Sequence, residues 1–321
     1  MKGEKGVQLQ NNSAKTKKAL RQNGRKKVYR LEHSNAAGYL FITPFLIGLF
    51  VLTVYPFFAS LFYSFTDYDI FSPPNWIGIQ NYIKMFTHDD KFWGSFWVTI
   101  KYAVVQVPLR LIVSLLVALL LVKKTKLTNV YRAIFYIPSL LGAGVAVAIT
   151  WTRLFGVDGV INAILQKIGI DPVLWLKDTK TALGVLIILS VWQFGSQMII
   201  FLAAIKDVPK SLLEAATIDG AGPVKSFFKV TLPMISPAFF FNLVNGIIVA
   251  MQSFNSAYLI TEGGPLNSTL VYGLYQYRQA FEFNHMGYAS AMAWFLMLFI
   301  VALTALVFRS SSGWVYYQDE M

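Results

Sequence analysis

Glu214-Ala215-Ala216-Thr217-Ile218-Asp219-Gly220-Ala221-Gly222-Pro223, followed by Leu232-Pro233, separates two long apolar runs of a 321-residue chain. Pro209 presets φ for a first helical turn, and residues 211–218 are good helix formers with Leu212, Leu213, Ala216 and Thr217 grouped at helical spacing. Gly220 and Gly222 supply the backbone freedom to end that helix, and Pro223 opens a second short one through Phe227 and Phe228. The expected product is a compact two-helix knob over 209–229 that carries one acid, Glu214. A polar hairpin between membrane spans buries little of itself, so it predicts a protein partner.

The flanking runs set the class. Mean hydropathy is +0.52, with 55% hydrophobic and only 14% charged residues, too little charge to cover a soluble surface of this length. Six apolar segments, near 39–65, 96–122, 135–155, 182–205, 237–260 and 288–308, approach or exceed the roughly 20 residues that a helix needs to cross the hydrocarbon core. An all-α polytopic membrane protein with six transmembrane helices is therefore expected. There is no cysteine, so disulfides and thiolate chemistry are excluded. His33, His88 and His285 have no paired spacing, so no metal site is expected. The net charge of +12 is concentrated in the first 35 residues, where Lys15, Lys17, Lys18, Arg21, Arg25, Lys26 and Lys27 crowd together. Such a segment is too polar to fold alone and suits attraction to anionic lipid rather than nucleic acid.

Lys and Arg in the short loops orient the chain, because basic loops stay cytoplasmic. Lys123, Lys124, Lys126 and Arg132 join the second and third spans; Lys206, Lys210, Lys225 and Lys229 lie between the fourth and fifth; Arg309 follows the sixth. The other loops dilute their cations with Asp67, Asp69, Asp89, Asp90, Asp158, Asp171, Asp178, Glu262 and Glu282. Both termini and the Glu214 hairpin are therefore expected inside. The expected organisation is a basic tail (1–36), a first helix with its outer loop (37–95), a core (96–309) containing the cytoplasmic loop 206–236, and a short C-terminal tail (310–321).

The hairpin also fits a known pattern: E-A-A, three residues, G, nine residues, a β-branched aliphatic, one residue, L-P. Glu214, Ala215, Ala216, Gly220, Leu232 and Pro233 occupy it, with Val230 where Ile is more usual. In this it resembles the cytoplasmic loop of binding-protein-dependent ABC importer permeases. Asp219-Gly220-Ala221-Gly222-Pro223, Thr261-Glu262-Gly263-Gly264-Pro265 and Gly287-Tyr288-Ala289-Ser290-Ala291 are similar to the carbohydrate-uptake branch, specifically the maltose-type first permease subunit. The resemblance runs from about Tyr39 onward and lacks the inserted outer domain of the enterobacterial maltose permease. It implies the ABC importer type I permease fold in a bacterial inner membrane and a second, homologous permease subunit. It also implies two cytoplasmic ATPase subunits that bind ATP and magnesium, and an extracytoplasmic sugar-binding protein. On that pattern Glu214, Ala215, Ala216, Asp219, Gly220, Gly222, Leu232 and Pro233 would couple to the ATPase.

This chain itself has no P-loop. Gly220-Ala221-Gly222-Pro223-Val224-Lys225-Ser226 puts Val224 where a glycine must precede the lysine. Neither an enzyme nor a cofactor site is expected. A secondary carrier is the competing class, but the six spans contain no Asp or Glu for ion coupling. Within the importer class, glycerol-phosphate or another polyol-phosphate is the competing cargo.

A path for substrate is expected on polar stripes, since intramembrane polar residues usually face a bundle interior or aqueous cavity. Asn242, Asn245, Gly246, Gln252, Ser253 and Ser256 recur on one helical stripe of the fifth span; Ser190, Gln193 and Gln197 repeat the pattern in the fourth. These, with Trp151 as an aromatic platform, suit a sugar or oligosaccharide, whose hydroxyls need amide and hydroxyl partners. Gly246, Ala250 and Ser253 stand where the maltose permease offers larger or more polar contacts, so maltose specificity does not carry over. Arg110 falls inside the second span, where it either snorkels past Pro108, pairs with a carbonyl, or faces the path.

Overall fold

The computed structural model describes residues 35–123 and 126–316, with side chains from Gly38 onward. The expected basic tail lies outside the described residues save for its last two positions, as do the final five residues of the C-terminal tail. Two compact units divide the chain at Ser60. In the first, α1 (Asn35–Leu49) runs through a π-turn at Phe50–Val54 into α2 (Tyr55–Ser64), whose last turn, from Leu61, belongs to the second unit. Gly38–Ser64 is thus one continuous apolar helix, long enough to span a bilayer, and no side chain along it from Gly38 to Ser60 is buried within the chain.

The second unit is all helical, with no β-strand among its described residues beyond an isolated bridge between Thr66 and Trp76. Its order is α3 (Gln80–Thr87), α4 (Asp90–Val122), α5 (Thr128–Leu141), α6 (Val145–Leu154), α7 (Val160–Lys167), α8 (Ala182–Trp192), α9 (Gly195–Asp207), α10 (Lys210–Ile218), α11 (Pro223–Ser226), α12 (Ser236–Met251), α13 (Tyr272–Tyr277) and α14 (Met286–Ser311). Helices dominate for a physical reason. No water in the hydrocarbon core pairs with exposed N–H and C=O groups, so each apolar run satisfies them internally.

Only Gly38–Ser64, α4 and α14 are unbroken helices of spanning length among the described residues. The third and fourth expected spans are instead bent pairs, α5–α6 at 103° and α8–α9 at 44°. Gly142 turns the first break at φ +60°. The fifth span differs more: α12 stops at Met251, and after a turn a π-helical segment covers Ala257–Thr261. The remaining bend, 68°, lies between 223–234 and α12, where the hairpin joins its span.

The central element is α4, which packs along α9, α12 and α8. Met198, Phe201, Leu186, Met251 and Ile235 are fully buried around it. Close approach at the start of α9 depends on Gly195, because a Cβ there would fall 2.5 Å from the Phe135 carbonyl oxygen and 2.7 Å from Tyr136 Cα. At the Asp89 end of the bundle, Phe92, Phe96, Tyr272, Phe295 and Phe299 pack mainly edge to face, an arrangement that suits the ring quadrupoles.

Hydrogen bonds tie the short helix α13 to this end. Buried Thr99 accepts from the Tyr272 backbone N–H at 2.7 Å and donates to Ser95 O at 2.9 Å. Asp89 caps α4 through Phe92 N–H at 3.0 Å and accepts from the hydroxyls of Tyr275 (2.7 Å) and Tyr288 (2.6 Å). Gln279 donates to the Tyr275 hydroxyl and meets His285 Nδ1 at 2.9 Å. Burial, and then the nearby Lys84 ammonium, hold the His285 imidazole below its ordinary pKa. Replacing Thr99 by Val orphans a buried N–H, so T99V is expected to lose about 1–3 kcal/mol of stability. T99S should retain most of it, and thermal unfolding of the detergent-purified protein measures both.

Candidate functional site

The hairpin is closed by local chemistry. At the end of α10 the N–H of Ala221 reaches Ala216 O at 2.9 Å and that of Gly220 reaches Thr217 O at 3.1 Å. Gly220 takes φ +72°, which completes a Schellman turn. Gly222, extended at φ −66° and ψ 169°, then caps α11, and Pro223 opens it. A π-turn at Phe227–Thr231 and a helical turn through Leu232 and Pro233 lead into α12.

No residue of α10 or α11 is buried. Glu214, Ala215, Asp219, Gly220 and Gly222 are exposed, and Ala216 is half-buried. The apolar Ile218, Val224 and Phe228 are 86%, 71% and 60% exposed. Large apolar side chains left exposed on one short loop make it a candidate interaction surface.

A second feature is a cavity of about 190 Å³ where α4 meets the α5–α6 and α8–α9 breaks and the turn after α12. From α4, Tyr102, Gln106 and Arg110 line it at intervals of four, one helical face. Gln106 Nε2 donates to Ser190 Oγ at 2.8 Å, and Arg110 Nη2 donates to the Gln193 carbonyl at 2.6 Å. Ser114 Oγ, one turn on, donates to the Arg110 carbonyl at 2.5 Å and lies 3.3 Å from Phe194 O. Arg110 thereby engages the Gln193 carbonyl at the α8–α9 break, while the Phe194 carbonyl accepts the Met198 N–H at 3.0 Å.

The residues expected on the path divide into two groups. Gln193, Gln252, Ser253 and Ser256 line the cavity. Gln197 and Asn242 instead join α9 to α12: Asn242 Nδ2 donates to Gln197 O at 3.3 Å and Gln197 Nε2 approaches Asn242 O at 3.5 Å. Gly246 faces Val107, where a Cβ would stand 3.2 Å from Cγ1. Asn245 is exposed and bonds back to Phe241 O at 3.3 Å. Trp151 is buried between Trp192 and Phe155, with ring centroids 5.1 and 5.7 Å away. The stripe splits because α12 ends at Met251 and the turn re-aims the residues beyond it.

Tyr102, Gln106 and Asn255 also line the cavity and were not expected there. The signal for the first two was present: both share the register of Arg110 on α4.

Broken spans around a polar cavity, with an exposed knob on one connecting loop, define a helical membrane permease. The chain belongs to the family of binding-protein-dependent transport system inner membrane components, whose pattern matches residues 110–316. The probable ABC transporter permease protein YesP of Bacillus subtilis (strain 168) is 51% identical over 298 residues, 92% of this chain and 96% of that protein. The sn-glycerol-3-phosphate transport system permease protein UgpA of Escherichia coli O6:K15:H31 (strain 536 / UPEC) is 33% identical over 288 residues, 87% and 95% of the two chains. The probable starch degradation products transport system permease protein AmyD of Thermoanaerobacterium thermosulfurigenes is 34% identical over 269 residues, 83% and 91%. A solved bacterial alginate ABC transporter, in complex with an alginate pentasaccharide-bound periplasmic protein, shares the fold. Its TM-score is 0.77 at 21% identity, over 86% of this chain and 94% of that one. The relatives are transport permeases, not enzymes.

Gln106 provides a test of the cavity. Its Oε1 is buried without a partner, and an unsatisfied buried acceptor costs about 1–3 kcal/mol. Q106L should therefore leave thermal stability equal or up to about 1 kcal/mol higher, since Ser190 can fall back on a carbonyl of its own helix. Transport should drop about tenfold, and a loss of stability with intact transport would contradict a role in the path.

Proposed function

We propose that this chain is one of two permease subunits of an ATP-driven saccharide importer in a bacterial inner membrane, with both termini on the cytoplasmic side. It contributes half of the translocation path. A second, homologous permease supplies the other half, two ATPase subunits bind ATP and magnesium, and an extracytoplasmic binding protein delivers the cargo. The knob over 209–229 sits in a cleft of one ATPase subunit, and closure of that subunit pulls on α12 through Leu232 and Pro233.

The observation that carries this reading is the hairpin itself: a locally capped pair of short helices that leaves Glu214, Ile218, Val224 and Phe228 exposed. A mere connector needs no such shape. The cavity supports the other half, since at about 190 Å³ it is smaller than the 300–1,000 Å³ usual for a ligand site, as suits a path shared by two subunits. Its amides and hydroxyls suit sugar hydroxyls. The cargoes of the relatives divide between saccharides and glycerol phosphate. The saccharide reading is favoured because, apart from Arg110, the residues that this chain gives the cavity are uncharged, with amides and hydroxyls prominent among them.

Reversing the charge at the knob tests coupling. Like charges set against one another across an interface cost several kcal/mol, so Glu214→Lys should reduce ATP-dependent uptake by the reconstituted transporter at least tenfold. Membrane insertion should be unchanged, and uptake at the wild-type rate would remove the coupling role. Gly220→Val forces a β-branched residue into a left-handed conformation, a strain of roughly 1–2 kcal/mol. Co-purification of the ATPase subunits with G220V should fall, in step with uptake.

A further inference from the structure

Among the described residues lining the cavity Arg110 is the only cation, and none is Asp or Glu. Among the described residues no salt bridge reaches it, and its side chain donates to a neutral carbonyl, Gln193 O. Its Nε lacks any partner, as do three other buried atoms of residues lining the same cavity: Gln106 Oε1, Gln193 Nε2 and Ser253 Oγ. Gln106 is only 2% exposed. A native interior leaves few polar atoms unsatisfied, and four of the eight partnerless side-chain atoms among the described residues belong to residues lining this one cavity, where solvent or a ligand can complete the bonding.

We propose that the saccharide carried on this path bears a carboxylate, as a uronic acid residue does, and that Arg110 is its recognition residue. This rests on the saccharide-permease reading above. A guanidinium presents five N–H donors in a planar fork that matches a carboxylate, and one of its nitrogens is already anchored by Gln193 O. Gln193 Nε2 and Ser253 Oγ add donors for further oxygens; Gln106 Oε1 accepts from a sugar hydroxyl. The charge count selects among anions. The share of the path that this chain supplies, one cation among neutral amides and hydroxyls, matches a singly charged carboxylate, whereas a phosphate monoester, which approaches two negative charges near neutral pH, would need a further cation from the second permease.

The test uses the assembled transporter in detergent, without its external binding protein, and measures equilibrium binding of oligosaccharides containing galacturonate, glucuronate or mannuronate. Each is paired with its carboxyl-reduced, neutral counterpart, and sn-glycerol-3-phosphate is included. At least one acidic oligosaccharide should bind tenfold or more tightly than its reduced form. In proteoliposomes supplied with the binding protein, Arg110→Gln should cut uptake of that acid about ten- to hundredfold, the size expected for a charge-assisted bond, and R110K should restore part of it. The preference for acid over neutral forms should collapse in R110Q.

Equal binding of acidic and reduced sugars by the wild type overturns the proposal and leaves the saccharide permease standing. So does an equal loss of both forms in R110Q, which would make Arg110 a brace for the α8–α9 break. Preference for glycerol phosphate, or import of no saccharide at all, removes the underlying saccharide reading as well. The wild-type binding comparison decides the matter even where R110Q fails to assemble.

Discussion

Every interruption of a helix inside a bilayer leaves N–H and C=O groups with no water to receive them, and this constraint shapes the whole core. Three of the membrane segments are interrupted, and α4 meets freed groups at two places. At the α8–α9 break Arg110 engages the carbonyl of Gln193. At the start of α13 Thr99 receives the N–H of Tyr272. The helix that packs against most of the bundle is thus also the one that pairs its irregular backbone, and the polar residues that do so sit beside the cavity or lead to it.

The same logic explains the Asp89 cluster. One carboxylate caps α4, receives hydroxyls from α13 and from the first turn of α14, and so ties three elements at one end of the bundle. The hairpin, by contrast, is organised without long-range bonds. Its turn is closed by Gly220 and the carbonyls of Ala216 and Thr217 alone. One feature is specified by contacts distant in sequence, the other by adjacent residues.

That contrast accounts for what the sequence reveals and what it hides. Lengths of apolar runs and the Gly220, Gly222 and Pro223 punctuation made the spans and the knob readable, because each depends on neighbours in sequence. The 103° bend at Gly142 and the early end of α12 at Met251 were not readable, because hydropathy continues across both. Periodicity drew Asn242 and Gly246 onto one stripe with Ser253 and Ser256, but a stripe has meaning only while the helix lasts. Asp89 read as one more acid in an outer loop; its role comes from Tyr275 and Tyr288, far along the chain.

Arg110 also has an electrical consequence. A charge within the spanning region lies in the transmembrane field, where one elementary charge moved across 100 mV corresponds to about 2.3 kcal/mol. A negatively charged cargo entering a cell whose interior is negative must climb that gradient, and a fixed cation cannot change the total work, which depends only on the two aqueous endpoints. It lowers the summit. Arg110 offers an anion a compensating charge inside the span, where loss of hydration costs the most. If the cargo is the acid proposed above and ATP drives its import, the net electrical work falls on the nucleotide cycle, and each turnover works against the membrane voltage as well as against the concentration gradient.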